Sequence, residues 1–94
     1  MYKLQIDNAA FRVFKKLPRE VEKRMIQEAQ ALVANPLLGE QLQGKYRLLR
    51  SLHFGFKGIQ YRIIYQVLEK TETIMVRLAD TRENIYRKLE EMQQ

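Results

Sequence analysis

The clearest hydrophobic pattern in the chain is a strict alternation over residues 60–67. Aromatic and aliphatic side chains occupy every second position: Tyr61, Ile63, Tyr65 and Val67. The positions between them are mostly polar: Gln60, Arg62, Ile64 and Gln66. Because successive side chains of a strand point to opposite faces, this pattern predicts a half-buried strand with Arg62 on its more polar face. We expect this strand to lie near the centre of a sheet.

Two amphipathic helices are predicted in the N-terminal part of the chain. They follow a short alternating strand over residues 2–6, after which Asp7 or Asn8 offers a side-chain acceptor that can cap a helix. Pro18 separates the two helices, and Pro36 stops the second. The apolar positions at helical spacing are Ala10, Phe14 and Leu17, then Val21, Met25, Ala29 and Leu32. Together these predict a helical hairpin that covers one face of a sheet.

The remainder of the chain predicts an antiparallel meander followed by a helix. Residues 46–54 are expected to be extended, and the two glycines of residues 55–58 predict a hairpin turn into the strand that carries Arg62. Residues 73–79 predict the third strand of the meander. Asp80 or Thr81 can then cap a last helix, whose apolar stripe is Ile85, Leu89 and Met92.

These elements predict an α+β fold with two layers. An N-terminal helical hairpin covers one face of an antiparallel sheet of about four strands, a C-terminal helix follows, and the order is β-α-α-β-β-β-α. The length of 94 residues suits a single domain over residues 1–94. On residues 46–54 we assign one set of side chains to the open face: Arg47, Leu49, Ser51 and His53. The other set faces the opposite way: Leu48, Arg50, Leu52 and Phe54. Arg77 is expected beside Arg62 across neighbouring strands.

The net charge of +6 is unevenly distributed along the chain. No acidic residue occurs between Glu40 and Glu69, whereas five basic residues do: Lys45, Arg47, Arg50, Lys57 and Arg62. One region of the surface should therefore be strongly positive. Such a surface attracts nucleic acid, an acidic protein or an anionic membrane, and charge alone does not choose among them.

The composition argues against several classes of site. The absence of cysteine excludes disulfides and thiolate zinc sites, and a single histidine makes a histidine metal site improbable. We expect neither a metal nor a cofactor. The first residues lack the apolar run of a signal peptide, and no segment approaches a membrane-spanning length. These patterns predict a cytoplasmic protein.

Arg62 allows two interpretations at this point. A guanidinium held on a rigid strand is a preformed fork for an anion, most naturally a phosphate. It is equally consistent with a sheet-surface arginine that pairs with a carboxylate, since structural ion pairs are common.

Four short motifs, taken in order, resemble a known family. They are Lys15-Lys-Leu-Pro18, Asn35-Pro36, Tyr61-Arg-Ile-Ile-Tyr65 and Thr81-Arg-Glu-Asn-Ile-Tyr86. Their order and spacing resemble the RelE/ParE superfamily of type II toxin-antitoxin toxins over nearly the whole chain. In the RelE branch, toxins enter the ribosomal A site and cut the messenger RNA by a metal-free attack of the ribose 2′-OH on the adjacent phosphate. The resemblance implies that activity here, with Arg62, Arg82 and Tyr86 as the matching site residues.

The chain departs from the family pattern on the strand before the hairpin turn. The best-studied ribosome-dependent toxins carry lysines there, whereas Leu49 and Ser51 fall near those places in this chain. His53 could replace them, because an imidazole exchanges protons near neutral pH and can act as a base or an acid. The alternative is a partly buried structural histidine that donates to a backbone carbonyl. Five further basic residues are predicted to hold RNA: Lys45, Arg47, Arg50, Lys57 and Arg77.

The expected partners are the ribosome, messenger RNA and a cognate antitoxin, the last being a small acidic protein encoded adjacently. Two other functions stay open at this stage. The ParE branch of the superfamily inhibits DNA gyrase by binding, without cutting RNA. A toxin that had lost its activity would serve only as a basic partner for its acidic antitoxin.

Overall fold

The computed structural model describes residues 1–92, which form five strands and three helices. The elements in chain order are β1 (Lys3–Ile6), α1 (Asn8–Lys16), α2 (Arg19–Ala34), β2 (Glu40–Gln41), β3 (Arg50–Phe56), β4 (Ile59–Leu68), β5 (Thr73–Thr81) and α3 (Arg82–Met92). The predicted fold class and the order of its main elements are confirmed. The additional strand is β2, which is only two residues long.

The strands form one sheet in the spatial order β1-β5-β4-β3-β2. The strand that carries Arg62, β4, is central, and its predicted hairpin with β3 and its antiparallel pairing with β5 are both present. The sheet is mixed, because β1 pairs parallel to β5, with Lys3 opposite Thr73. The predicted antiparallel meander is confirmed, and the parallel pairing of β1 is the one departure from the predicted antiparallel sheet within residues 1–92. The two helices after β1 carry the chain to the far edge of the sheet, which leaves β1 beside the last strand.

The helical hairpin forms where the sequence predicts it. Asp7 caps α1 by accepting a hydrogen bond from the backbone N–H of Asn8 at 2.9 Å, and α2 begins directly after Pro18. Both helices pack on one face of the sheet. The buried side chains on that side are Ala10, Phe14, Val21, Met25, Ala29, Leu32, Leu52, Phe54, Tyr61, Ile63, Tyr65, Ile74, Val76 and Ala79. Within residues 1–92, no helix combines the length and the apolarity needed to cross a membrane.

The opposite face of the sheet, which the sequence analysis assigned as open, is partly covered by α3. A second, smaller core lies there: Leu49, Ile64, Leu78, Ile85 and Leu89. Three of these side chains come from the loop before β3, from β4 and from β5. Because apolar groups on a sheet face must be removed from water, this patch binds the apolar stripe of α3. The fold therefore has a third, partial layer, and basic residues on this face lie around α3.

The segment before β3 is less extended than the sequence predicts. Residues Gly44–Tyr46 form a single 3-10 turn, in which Gly44 adopts a φ of 64°, a region that favours glycine. Strand β3 begins only at Arg50. Leu48, which was assigned to the core-facing side, is 71% exposed. Leu49 contacts the core under α3, on the face to which the alternation assigned it, whereas Leu48 precedes the strand and faces solvent.

Candidate nucleic-acid interface

Arg62 lies at the centre of the candidate site, between two titratable residues on the neighbouring strands. It is directly opposite His53 on β3 and directly opposite Asp80 on β5. Residues paired across antiparallel strands share a face, with their Cβ atoms about 5 Å apart. The imidazole, the guanidinium and the carboxylate therefore form a row across three strands, on the face that α3 partly covers.

The Arg62 side chain is supported by Tyr86 of α3. Its guanidinium carbon lies 5.8 Å from the centroid of the Tyr86 ring, within range of a cation–π interaction. The Nε atom of Arg62 is buried and has no hydrogen-bond partner within residues 1–92. A buried donor without a partner is costly, so this guanidinium has donor capacity that the described protein atoms do not use. The interpretation of Arg62 as half of a structural ion pair is not supported by this geometry.

Asp80 is held by its own neighbours on α3. Its carboxylate lies 2.7 Å from the Lys88 ammonium, accepts the backbone N–H of Thr81 at 2.7 Å, and accepts the Asn84 amide at 3.4 Å. Burial by itself would raise the pKa of Asp80, but the hydrogen bond from Lys88, the backbone N–H of Thr81 and the charge of Lys88 together hold that pKa below its ordinary value. The carboxylate is therefore ionised and satisfied.

From the sequence, Asp80 was expected only as a candidate helix cap, and Lys88 was not expected at the site. Thr81 was the other candidate cap, and in the structure its Oγ1 accepts the backbone N–H of Asn84 at 3.4 Å. Lys88 stands on the helix far from any motif, and no local pattern links it to Asp80.

An open depression of about 680 Å³ lies beside Tyr86. The turn between β3 and β4 forms one wall and the start of α3 forms the other. Its lining residues are Gly58, Ile59, Gln60, Thr81, Arg82, Glu83 and Tyr86. Arg82 and Tyr86 are thus brought together, as their four-residue spacing on a helix predicts. The depression offers apolar surface next to a cation, an arrangement suited to a base and its phosphate.

His53 is accessible at the edge of this site. Its side chain is 51% exposed, and its Nε2 atom lies 3.9 Å from Oε1 of Glu40 on the neighbouring strand β2. Such exposure does not match the alternative of a partly buried structural histidine. The imidazole is therefore accessible to solvent at a position opposite Arg62.

Two of the predicted RNA contacts are engaged in structural interactions elsewhere. Arg50 donates from Nε to the carbonyl of Gly39 at 2.9 Å and from Nη2 to the carbonyl of Leu37 at 3.3 Å. Lys57, at the tip of the β3–β4 hairpin, donates to Oε1 of Glu20 on α2 at 2.6 Å. Arg50 therefore ties down the loop before β2, and Lys57 joins the hairpin tip to the helical layer.

The predicted pairing of Arg77 with Arg62 is wrong. The β4–β5 register shifts between Ile64 and Tyr65, and Asp80 is the residue that comes opposite Arg62. The Nε atom of Arg77 instead lies 3.6 Å from Oδ2 of Asp7. Continuing the register of residues 65–68 past this irregularity would bring Ala79, and not Arg77, opposite Arg62. The alternation of side chains fixes which face a residue lies on, and it does not specify the register between two strands.

The remaining two basic candidates lie in the loop before β3. Lys45 and Arg47 are both exposed, and the Lys45 ammonium lies 5.3 Å from the centroid of the Tyr46 ring. Tyr46 packs against the small core under α3, so this loop lies on the same side of the sheet as the site. Within residues 1–92, no cluster of three metal-ligating side chains is present.

Comparison with known proteins identifies the family. The sequence model of one protein family, the ParE-like toxin of type II bacterial toxin-antitoxin system, matches residues 4–90. No curated protein sequence matches the chain significantly.

Solved structures share the fold at low sequence identity. The toxin-antitoxin complex RelBE2 from Mycobacterium tuberculosis aligns with a TM-score of 0.77 at 24% identity, covering 86% of this chain and 98% of that chain. The isolated E. coli RelE toxin aligns over 100% of both chains with a TM-score of 0.72 at 18% identity. The intact E. coli RelBE complex aligns with a TM-score of 0.70 at 19% identity, covering 84% of this chain and 94% of that chain. With the family model matching most of its length, the chain belongs to the ParE-like toxins of type II bacterial toxin-antitoxin systems, within the RelE/ParE superfamily.

Proposed function

We propose that this toxin is an endoribonuclease that cuts messenger RNA on the ribosome and so inhibits translation. The observation that carries the proposal is the Arg62 guanidinium, which lies over the Tyr86 ring and whose buried Nε has no hydrogen-bond partner within residues 1–92. A guanidinium can bind two oxygens of one phosphate and stays charged at all relevant pH values. We therefore propose that a phosphate of the RNA is the acceptor for this guanidinium.

The proposed reaction is a transesterification within the RNA strand. The ribose 2′-oxygen forms a bond to phosphorus, the bond from phosphorus to the 5′-oxygen of the next nucleotide breaks, and a 2′,3′-cyclic phosphate remains. Negative charge grows on the nonbridging oxygens during this step. Arg62 stabilises that charge, and Arg82 at the rim of the depression holds a neighbouring phosphate.

His53 is the proposed proton acceptor for the 2′-OH. It is exposed and directly opposite Arg62, so a phosphate bound by the guanidinium brings the attacking hydroxyl within its reach. The Tyr86 hydroxyl is the proposed donor of the proton that the leaving 5′-oxygen requires. Its ring beneath Arg62 also fixes the orientation of the guanidinium.

A cognate antitoxin is the proposed protein partner. Two of the structural relatives were solved as toxin-antitoxin complexes, and a mutant E. coli RelE was solved with an antitoxin peptide. The net charge of +6 favours an acidic partner, whose affinity should fall as salt rises. Copurification from the native host should recover a small acidic protein encoded next to the toxin gene, and recovery of none would contradict this part of the proposal.

The decisive test maps cut sites on a message in a reconstituted translation reaction, with and without ribosomes. The parent protein should cut only the translated message. Arg62→Gln should lower the cutting rate about 100-fold or more, the scale of losing one preorganised charge-stabilising donor. Arg19→Gln removes the same charge from an exposed position at the start of α2, and should cut like the parent. Equal cutting by the Arg62 and Arg19 variants would refute the assigned role of Arg62.

A second candidate function is favoured by the family model, which is named for ParE-like toxins. In that case the protein binds and inhibits DNA gyrase without cutting RNA. Inhibition of gyrase supercoiling by the purified toxin, together with intact messages in the translation reaction, would favour this alternative. The two assays therefore distinguish an RNA-cutting toxin from a gyrase-binding toxin.

A further inference from the structure

Arg62 lies directly opposite the carboxylate of Asp80 but forms no ion pair with it within residues 1–92. Arg62 and Asp80 are directly opposite each other on β4 and β5, a position in which opposite charges ordinarily pair. Arg62 takes part in none of the ion pairs formed within residues 1–92. A specific feature of the fold must therefore keep these two side chains apart.

That feature is the contact of Asp80 with α3. The Lys88 ammonium lies 2.7 Å from Oδ2 of Asp80, and both side chains are largely buried, with exposed fractions of 26% and 14%. The other carboxylate oxygen accepts the Thr81 N–H at 2.7 Å and the Asn84 amide at 3.4 Å. Both oxygens thus have donors, and the negative charge is already balanced. The lowered pKa of Asp80 agrees with this balance.

We propose that Lys88 is a positioning residue, which holds Asp80 on α3 and thereby leaves the Arg62 guanidinium free to bind a phosphate. Without the ammonium, a mostly buried carboxylate would lose its counter-ion, a strongly unfavourable state. Arg62, across the strand pair, is the cation best placed to replace it. An Arg62–Asp80 ion pair would then occupy the donors that the proposed function requires for the RNA phosphate, so the inference rests on that function.

The test combines one neutral variant, one conservative variant and one double variant. Lys88→Gln removes the charge, Lys88→Arg keeps it, and Lys88→Gln with Asp80→Asn removes both the ammonium and its competing carboxylate. The first should lower the rate of message cutting at least about tenfold, the scale of one charge-assisted hydrogen bond. The second and the double variant should both stay near the parent rate. Lys23→Gln, at an exposed position of α2, is the matched control and should also cut like the parent.

A second measurement separates this inference from the proposed function. Inorganic phosphate is titrated into each variant, and the Arg62 Nε–H resonance is followed by NMR, with the backbone amide spectrum confirming that each protein is folded. Phosphate should shift this resonance in the parent and the double variant, and about tenfold more phosphate should be needed in Lys88→Gln. If the parent binds phosphate through Arg62 but cuts no message, the proposed function fails and the role of Lys88 is still decided by the titration. Parent-like phosphate binding by Lys88→Gln, or a double variant as impaired as Lys88→Gln, would overturn the inference.

Discussion

Arg62 and Tyr86 are far apart in the chain, yet the guanidinium carbon of one lies 5.8 Å from the ring centroid of the other. The contact joins the central strand β4 to α3. It forms because the small core under α3 holds the helix against the sheet, and the start of the helix then projects Tyr86 toward β4. Arg62 is thereby fixed without being neutralised, which is the state that anion binding requires.

Tyr86 can have two roles in this site: its ring can support Arg62, and its hydroxyl can donate a proton. Tyr86→Phe keeps the ring beneath Arg62 and removes only the hydroxyl. If the hydroxyl delivers the proton to the leaving oxygen, the cutting rate should fall about 100-fold, while the Arg62 resonance and its response to phosphate stay unchanged. Tyr46→Phe removes a hydroxyl from a partly buried tyrosine beside α3 and should cut like the parent. A Tyr86→Phe variant with full activity would assign Tyr86 a supporting role alone.

Tyr65 should be important for stability rather than for chemistry. Its hydroxyl donates to the carbonyl of Pro36 at 2.8 Å and accepts the N–H of Gly39 at 2.9 Å. Tyr65→Phe leaves both backbone groups without this partner and should lower the free energy of unfolding by about 1–3 kcal/mol. Urea denaturation measures the loss. Tyr61→Phe, on the same face of β4, is the control, and its change should be within about 0.5 kcal/mol; equal losses in the two variants would contradict this role.

Two glycines should respond differently to the same substitution. A Cβ added at Gly39 would lie 2.8 Å from the Ser51 carbonyl oxygen and from the Tyr65 ring and hydroxyl, whereas at Gly55 it would meet the amide end of Gln60. The first neighbours are buried and cannot withdraw, but the Gln60 side chain is exposed and flexible. Gly39→Ala should cost about 1–3 kcal/mol of unfolding free energy, and Gly55→Ala about 0.5 kcal/mol or less. Thermal or urea unfolding of both variants tests this difference, and a reversed order would show that the loop before β2 is not tightly packed.

The ion pair of Asp80 predicts a pH dependence of stability. Its folded-state pKa lies below the ordinary value of 3.8, so its contribution is fully present above that value and is lost as the pH falls through the folded-state pKa. At neutral pH, Asp80→Asn should lower the free energy of unfolding by about 1–3 kcal/mol, because a largely buried charged hydrogen bond is lost. Below pH 3.8 the difference between parent and variant should narrow. A difference that stays constant from neutral to acidic pH would contradict the shifted pKa.

Local patterns account for much of the fold. The alternation of residues 60–67 predicts β4 with Tyr61, Ile63 and Tyr65 in the core, and all three are buried. Asp7 caps α1, and the helical hairpin covers the face that its apolar stripe requires. These features depend on side-chain spacing and on contacts between near neighbours in the chain, which is why they are readable without coordinates.

The candidate site was only partly predictable. Arg62, Arg82, Tyr86 and His53 were named from motif context and residue chemistry, and the structure brings Arg62 together with Tyr86 and places His53 directly opposite it. Arg50, Lys57 and Arg77 were named for the same charge, yet they contact Gly39, Glu20 and Asp7. The sequence shows which side chains are charged, but it does not show which of them bind other groups of the protein itself.

The sequence by itself determined the elements, the core-facing side of β4 and the basic character of the chain, because each depends on composition or on short-range periodicity. Only the tertiary structure decided that β1 pairs parallel to β5, that α3 covers part of the second face, and that Asp80 lies opposite Arg62. The tertiary structure also decided that Lys88 forms an ion pair with the Asp80 carboxylate. These outcomes depend on long-range packing and on competition among charges for partners, which no local pattern encodes.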